Sequence, residues 1–133
     1  MDVLKINGRV PNVKIMSIDE SFTILYSPNT GRTLASGARM TLDPLGTFYT
    51  HRVTVKRIKG HEIDFDQLYN LVANPRYDGL PVEVVHNQST MSYTAYFSEG
   101  GRNLKYIDKT TGKPVWDEFE FEMIPMEAQV LPV

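Results

Sequence analysis

The feature that most restricts the fold of this chain is a strict alternation of apolar and acidic side chains near its C-terminus. Apolar residues occupy every second position from 119 to 123, and glutamates occupy the positions that flank them. The apolar set is Phe119, Phe121 and Met123, and the acidic set is Glu118, Glu120 and Glu122. Successive side chains of a β-strand point to opposite faces of the sheet. The pattern therefore predicts a long strand with one buried face and one face in water.

The same alternation recurs over residues 47–58, where Tyr49, His51 and Val53 share one face and Arg52 and Thr54 share the other. Residues 3–6, 81–86, 90–97 and 103–107 are further predicted strands, because β-branched and aromatic residues are frequent there and turn residues flank them. Residues 14–26 are predicted to form one or two strands with a break at residues 19–21. Gly100 and Gly101 are predicted to form a tight turn.

One segment carries a helix signal. Asp64 and Gln67 have the spacing of a capping box, and Ile63 and Leu68 that of a hydrophobic staple. Apolar residues then recur at helical spacing, and Pro75 biases the residue before it away from the helix. The sequence predicts a short helix at about residues 64–74. A helix of about three turns is marginal alone, so we expect it to pack on the sheet.

These elements predict a mostly-β fold, a β-sandwich or a curved antiparallel sheet, with one short α-helix packed on it. The 133 residues fit a single domain, residues 1–133. Residues 27–46 have no regular period, and irregular stretches of this length are uncommon in compact domains. We predict that this segment is a long arm that reaches a neighbouring subunit. Its predicted interface residues are Arg32, Arg39, Met40 and Leu42.

Charge is unevenly distributed along the chain. Residues 1–60 hold nine Lys and Arg and four Asp and Glu, whereas residues 61–133 hold five and twelve. Complementary regions of a folded domain can steer head-to-tail association of identical copies. Alternatively, strands from the two halves interleave and the charges mix on one surface. The sequence leaves both interpretations open.

No catalytic, cofactor-binding or metal-binding residues are predicted. Cysteine is absent, which removes disulfides, thiolate nucleophiles and zinc–thiolate sites. Asp64 and Asp66 lack the further ligands of a calcium loop, and His51 is expected to be a core or interface residue. No apolar run approaches the ~20 residues of a membrane span. Basic and aromatic residues interleave near Tyr49 and Arg52, but a half-buried strand produces the same pattern, so we expect no specific nucleic-acid binding.

Several segments together resemble a known family. They are residues 4–8 followed by Val10 and Pro11, the basic strand 52–57 after Gly46, the helix with residues 68–72, residues 82–85, and Trp116 before the alternating strand 119–124. In order and spacing this is similar to a family of small minor structural proteins of siphophages and prophages of Gram-positive bacteria. The resemblance implies a non-enzymatic tail component of the virion, such as a tail-tube, distal-tail or baseplate-hub protein, made in the cytoplasm of the bacterial host.

The uneven charge and the long irregular segment predict self-association into a homo-oligomeric ring, trimeric or hexameric. The resemblance, whose related tail proteins form rings, implies contact with neighbouring tail proteins. In such a ring the row of Glu118, Glu120 and Glu122 would line a channel through which DNA slides, because an acidic wall repels phosphates; otherwise the row is an ordinary solvated face. The alternative function is a carbohydrate- or peptide-binding β-sandwich module. That module needs an exposed aromatic platform, for which Tyr93, Tyr96, Tyr106 and Trp116 are the available rings.

Overall fold

The computed structural model describes residues 2–34 and 37–133, and it confirms a mostly-β fold with a single short helix. Within the described residues the elements follow one another as β1 (Leu4–Ile6), β2 (Lys14–Tyr26), β3 (Gly31–Arg32), β4 (Met40–Thr41), β5 (Pro44–Lys56), α1 (Glu62–Ala73), β6 (Leu80–His86), β7 (Ser89–Tyr96), β8 (Gly100–Ile107) and β9 (Pro114–Pro125).

Seven of the strands form one curled antiparallel sheet, in which six follow the order β1-β6-β7-β9-β5-β2 and the seventh, β8, pairs with β9 beside this path. Strand β9 holds the sheet together. It pairs with β5 through residues 118–123, with β8 through residues 114–121 and with β7 through residues 124–125. Of the two predicted architectures, the structure therefore has the curved antiparallel sheet.

The core lies inside the curl, between the sheet and α1. Phe119, Phe121 and Met123 are fully buried, and the neighbouring glutamates of β9 are partly exposed, which confirms the predicted faces of this strand. Val53 and Val55 of β5 are fully buried beside them. The alternation in the sequence thus places one face of both central strands in the core.

Helix α1 begins two residues earlier than the sequence indicates, and the predicted capping box is wrong. The first helical residue is Glu62, and the side chain of the N-cap residue His61 makes no capping hydrogen bond. The Glu62 carboxylate instead accepts a hydrogen bond from the backbone of Gly60 at 3.2 Å. Ile63 is 72% exposed, so no hydrophobic staple forms. The predicted apolar stripe is confirmed by the burial of Phe65, Leu68 and Val72.

Strand β2 runs without the predicted break at residues 19–21. Asp19 lies opposite Arg52 and Glu20 lies opposite His51 in the register with β5. The Glu20 carboxylate forms a hydrogen bond with the His51 ring at 2.9 Å. The strand continues through these acidic residues because each lies beside a basic group of the neighbouring strand.

The prediction of a tight turn at Gly100 and Gly101 is also wrong, since both residues belong to β8. The two strands approach each other closely at this point. A Cβ atom on Gly100 would lie 2.8 Å from the backbone oxygen of Glu120. Glycine is therefore needed here for close strand packing rather than for a turn.

The described residues of segment 27–46 contain more regular secondary structure than the predicted irregular arm. Gly31–Arg32 pairs with Met40–Thr41 as a small two-stranded sheet, and residues 44–46 already belong to β5. The backbone N–H of Ser27 donates to Asp43 O at 2.9 Å, and the Asp43 N–H donates to the Thr30 hydroxyl at 2.9 Å. These bonds join the two ends of the segment at the point where it leaves the hairpin formed by β2 and β5.

The C-terminal segment continues the sheet beyond the end of β9. The N–H of Thr47 donates to Val130 O at 2.9 Å, and the Gln129 side chain bonds both backbone groups of Tyr49 at 2.9 and 3.0 Å. Gly46 allows this approach, because a Cβ atom there would lie 2.6 Å from the Ala128 Cβ. The end of the chain is thereby fixed along β5.

Replacing Gly46 with valine should displace this C-terminal segment. The added side chain has no space beside Ala128 and the Val130 oxygen. We expect faster backbone hydrogen exchange at Thr47 and Tyr49 and faster proteolytic trimming of residues 127–133, while the core stays folded. The matched control is Gly101→Val in β8, where nothing lies within 4 Å of an added Cβ. Unchanged exchange at Thr47 in the Gly46 variant would contradict this account.

Candidate assembly interface

Strand β2 presents a long free edge. It spans 13 residues and is the last strand of the sheet, hydrogen-bonded to β5 on one side only. Among the described residues no other strand covers its outer side. A long edge with unpaired N–H and C=O groups is a template for pairing with another chain, and natural proteins usually shorten, charge or cover such edges.

The distal half of the hairpin carries exposed apolar side chains, which we call the hairpin patch. It consists of Phe22, Ile24, Leu25, Tyr26, Leu42 and Leu45. Phe22 is 65% exposed although it lies on the core-facing side of β2, opposite Tyr49. The exposure arises because β9 pairs with β5 only from His51 onward, so the hairpin extends past the core. A concentration of exposed apolar side chains at one end of a hairpin is typical of interaction sites.

The four residues predicted as an interface lie next to the hairpin patch. Arg32 and Met40 pair across the small two-stranded sheet, and Arg39 and Leu42 flank Met40 in the chain. The Arg32 guanidinium bonds Ala38 O at 3.4 Å, Arg39 and Met40 are exposed, and Leu42 belongs to the hairpin patch. Exposure makes the four available to a neighbour, and their role in an interface stays a prediction.

The glutamate row on β9 lies beside basic residues of β5. The Arg52 guanidinium forms a salt bridge with Glu120 and lies 3.9 Å from Glu122, and Lys56 lies opposite Glu118 in the strand register. Basic and acidic residues from the two halves of the sequence therefore interleave on one sheet face. Of the two interpretations of the uneven charge, this favours the one in which the charges of the two halves mix on one surface.

Replacing all three glutamates with glutamine should change the thermal stability little, because partly exposed salt bridges contribute about 0–1 kcal/mol. Replacing all three with lysine should cost more, since lysines would lie beside Arg52 and Lys56 and like charges on neighbouring strands repel. The measurement is thermal unfolding of both triple variants at low and high salt. The difference between them should shrink as salt rises; a difference that salt leaves unchanged would contradict the pairing.

A polar network centred on the buried His51 joins β2, β5, β6 and β7. His51 is 0% exposed, and its Nδ1 lies 2.8 Å from the Tyr93 hydroxyl and its Nε2 2.9 Å from Glu20 Oε1. His86 Nδ1 lies 2.6 Å from the same Glu20 oxygen. A carboxylate only accepts hydrogen bonds, so His51 Nε2 carries the proton and Nδ1 accepts from Tyr93. The network anchors the edge strand β2 to the core through Glu20.

Burial determines how these groups hold protons. It lowers the pKa of His51, against the opposing influence of Glu20, because a buried imidazolium is poorly solvated. Burial acts to raise the pKa of Glu20, but the hydrogen bonds from His86 and His51 outweigh it, and that pKa lies below its ordinary value. Burial also raises the pKa of Tyr93, so its hydroxyl keeps the proton that it donates to His51.

The protein should lose stability as the pH falls below about 6.5, the ordinary pKa of histidine. In the folded state the pKa of His51 is lowered, so below that pH the unfolded chain binds more protons and gains population. The lowered pKa of Glu20 extends the loss below about pH 4.5. Melting temperatures from pH 8 to pH 4 measure the effect. His51→Gln should weaken this pH dependence, whereas His61→Gln, at an exposed position, should retain it; equal profiles would contradict the role of His51.

The aromatic rings required by the alternative function are not assembled into a platform. Tyr93 is hydrogen-bonded to His51, and the Trp116 ring is stacked against the Arg102 guanidinium at 4.2 Å. Arg102 also lies 4.0 Å from the Tyr69 ring and bonds Asp66 at 2.8 Å, so it fixes α1 to β8. Of the four rings only Tyr96 and Tyr106 are exposed.

A cleft of about 770 Å³ lies between the C-terminal end of α1 and the β7–β8 connection. Its arginine, Arg76, is bonded to Leu71 O and Asn74 O at the helix end. In residues 2–34 and 37–133, no group of three or more His, Cys, Asp or Glu side chains is placed to hold a metal ion. No helix in the described part of the chain is long and apolar enough to cross a membrane.

No protein-family model and no curated protein matches the chain. The candidate interface is therefore inferred from the strand order and the exposed side chains alone. Sequence reasoning found the neighbourhood of Met40 and Leu42 but missed the edge of β2 and the hairpin patch. The available signal was that Ile24, Leu25 and Tyr26 follow one another without alternation, since both faces of a buried strand or of an interface strand are apolar.

Proposed function

We propose that this chain is a non-enzymatic structural subunit of a phage or prophage tail that self-associates into a ring. The observation that carries the proposal is the 13-residue free edge of β2 with the hairpin patch at its end. Addition of a strand from another chain satisfies the backbone groups of such an edge, and burial of the patch stabilises the contact.

The sequence resemblance to minor structural proteins of siphophages and prophages supports the tail as the location of the ring. The four predicted interface residues, Arg32, Arg39, Met40 and Leu42, lie on the same projecting hairpin as the patch. A ring presents this hairpin once per subunit, which suits contacts with neighbouring tail proteins. The glutamates 118, 120 and 122, of which the last two lie beside Arg52, then form either a channel wall of reduced charge or an outer face.

The tail assignment is tested with particles of the phage or induced prophage whose genome encodes this chain. Quantitative mass spectrometry of purified particles should detect the chain in a small fixed copy number, three or six or a multiple of these. Immunogold labelling should place it on the tail or its distal end. Absence from infectious, purified particles would contradict the proposal, and a location on the capsid would contradict the tail assignment.

A carbohydrate- or peptide-binding module is the second candidate function, favoured only by the exposed rings of Tyr96 and Tyr106. Glycan-array and peptide-array binding measures it directly. Binding that is lost in a Tyr96→Ala/Tyr106→Ala variant, together with a monomeric mass in solution, would favour the module over the structural subunit.

A further inference from the structure

We infer that the free edge of β2 pairs with the free edge of β8 on a second copy of this chain, so that one antiparallel sheet runs from copy to copy. This inference rests on the proposed self-association and specifies which surfaces meet. The strands involved form the consecutive set β8-β9-β5-β2.

Both outer strands of this set lack a partner on their outer side. Strand β8 pairs with β9 only, and β2 pairs with β5 only, in the described part of the chain. The remaining free edge of the sheet, β1, is 3 residues long and offers few backbone groups. The two longer free edges, β2 with 13 residues and β8 with 8, thus lie at opposite ends of the same four strands.

Strand direction is compatible with head-to-tail pairing. Every neighbouring pair in the set is antiparallel, so β8 and β2, the first and the fourth strand, run in opposite directions. Rotation of a copy about an axis along the strands preserves these directions. The β8 edge of the rotated copy therefore meets β2 in antiparallel orientation, as within the sheet. Such a heterologous contact closes into a ring when the rotation from copy to copy divides a full turn, and the proposed ring requires this.

The charges of the two edges are complementary. On β2 the exposed acid is Asp19, since the Glu20 carboxylate is bonded to His51 and His86. On β8, which holds no acid, the exposed base is Lys105, since the Arg102 guanidinium is bonded to Asp66. Both edges also expose apolar side chains, which on β8 are Leu104, Tyr106 and Ile107. Opposite charges with apolar contact favour this pairing over one between identical edges.

A two-fold pairing of β2 with itself is disfavoured by the same charges. The middle of β2 is Glu20, so a symmetric antiparallel pairing about the middle of the strand would bring Asp19 and Glu20 of both copies together. Like charges directly opposite one another destabilise a strand pair. The register shifts of β8 at residues 102–106 limit its regular edge to the two ends of the strand, so the contact is shorter than β2 itself.

Cross-linking tests the inference directly, because the chain has no cysteine. Single-cysteine variants Ser21→Cys in β2 and Asn103→Cys in β8 place one thiol on each edge at exposed positions. After light scattering has shown that each retains the wild-type mass, they are mixed and treated with a short bismaleimide. Tyr77→Cys, fully exposed and outside both edges, is the matched control.

We expect cross-linked dimers in the mixture of Ser21→Cys and Asn103→Cys, and none in either variant alone or in mixtures with Tyr77→Cys. The double variant Ser21→Cys/Asn103→Cys should give a series of cross-linked species of increasing size, the largest of which is the complete ring. Cross-linking of Ser21→Cys alone would replace the inference with a two-fold β2 contact. An oligomer without any cross-link between the two edges would overturn it and leave the proposed self-association intact, whereas a monomeric wild-type protein would overturn both.

Discussion

Replacing Phe121 with alanine should lower the free energy of unfolding by about 3–5 kcal/mol, the usual cost of removing a fully buried aromatic side chain. Phe121 is 1% exposed and lies in the centre of β9. Its ring stacks on Phe119 at 4.9 Å between centroids and lies 5.9 Å from Phe97. Truncation leaves a cavity between the sheet and α1 that the flanking strands of a paired sheet cannot close. Chemical denaturation at pH 7 measures the change.

The matched control is Phe22→Ala, which removes the same atoms from a ring that is 65% exposed. It should cost well under half as much in a monomeric sample, because most of the ring is already in contact with water. Comparable losses for the two variants would mean that the faces of β2 or β9 are assigned wrongly, and the description of the hairpin patch would then be wrong as well.

The double variant Phe22→Lys/Ile24→Lys should abolish self-association. Both side chains belong to the hairpin patch on β2, and lysines on an edge strand oppose pairing with another chain. Burial of such side chains in an interface contributes about 1.5 kcal/mol or more each. Their joint loss therefore weakens each contact by about a hundredfold or more. Sedimentation velocity over a range of concentrations measures the shift from oligomer to monomer.

The matched control places two lysines at exposed apolar positions outside the sheet edges, Ile63→Lys/Tyr77→Lys. It makes the same change in charge and removes similar apolar surface, so it separates an effect of the β2 edge from an effect of net charge. Circular dichroism should show that both double variants are folded. An oligomer that resists lysines at Phe22 and Ile24, or that dissociates in both variants, would contradict the role of the edge.

The strands that could be predicted from the sequence are those with one face in the core and the other face in water. In β9 and in the central part of β5, the core lies on one side and water on the other, so the alternation in the sequence is visible and each buried residue was assigned to its face. The apolar stripe of α1 was predictable for the same reason, since Phe65, Leu68 and Val72 follow the helical period.

The errors arose where a contact distant in sequence decides the local structure. Glu20 looked like a strand breaker, but its carboxylate lies beside His51 and His86, which are 31 and 66 residues away along the chain. Gly100 looked like a turn residue, but it is required by the close approach of Glu120. Neither partner is visible in a local window of sequence, because both depend on the register of the sheet.

The candidate interface was only partly predictable. The neighbourhood of Met40 and Leu42 stood out through its irregular composition, whereas the edge of β2 became visible only once the strand order was known. An edge is a property of topology, and an apolar strand has the same sequence whether it is central or last. The pairing of the glutamate row with Arg52 likewise follows from the β5–β9 register.

The central claim, self-association of a structural subunit, is tested most directly by the molar mass of the purified chain in solution. Light scattering coupled to size exclusion, at high protein concentration and low salt, should give three or six times the mass of the chain, and the value should fall as the protein is diluted or the salt concentration is raised. A mass equal to that of a single chain over the whole range of concentration and salt would contradict the account.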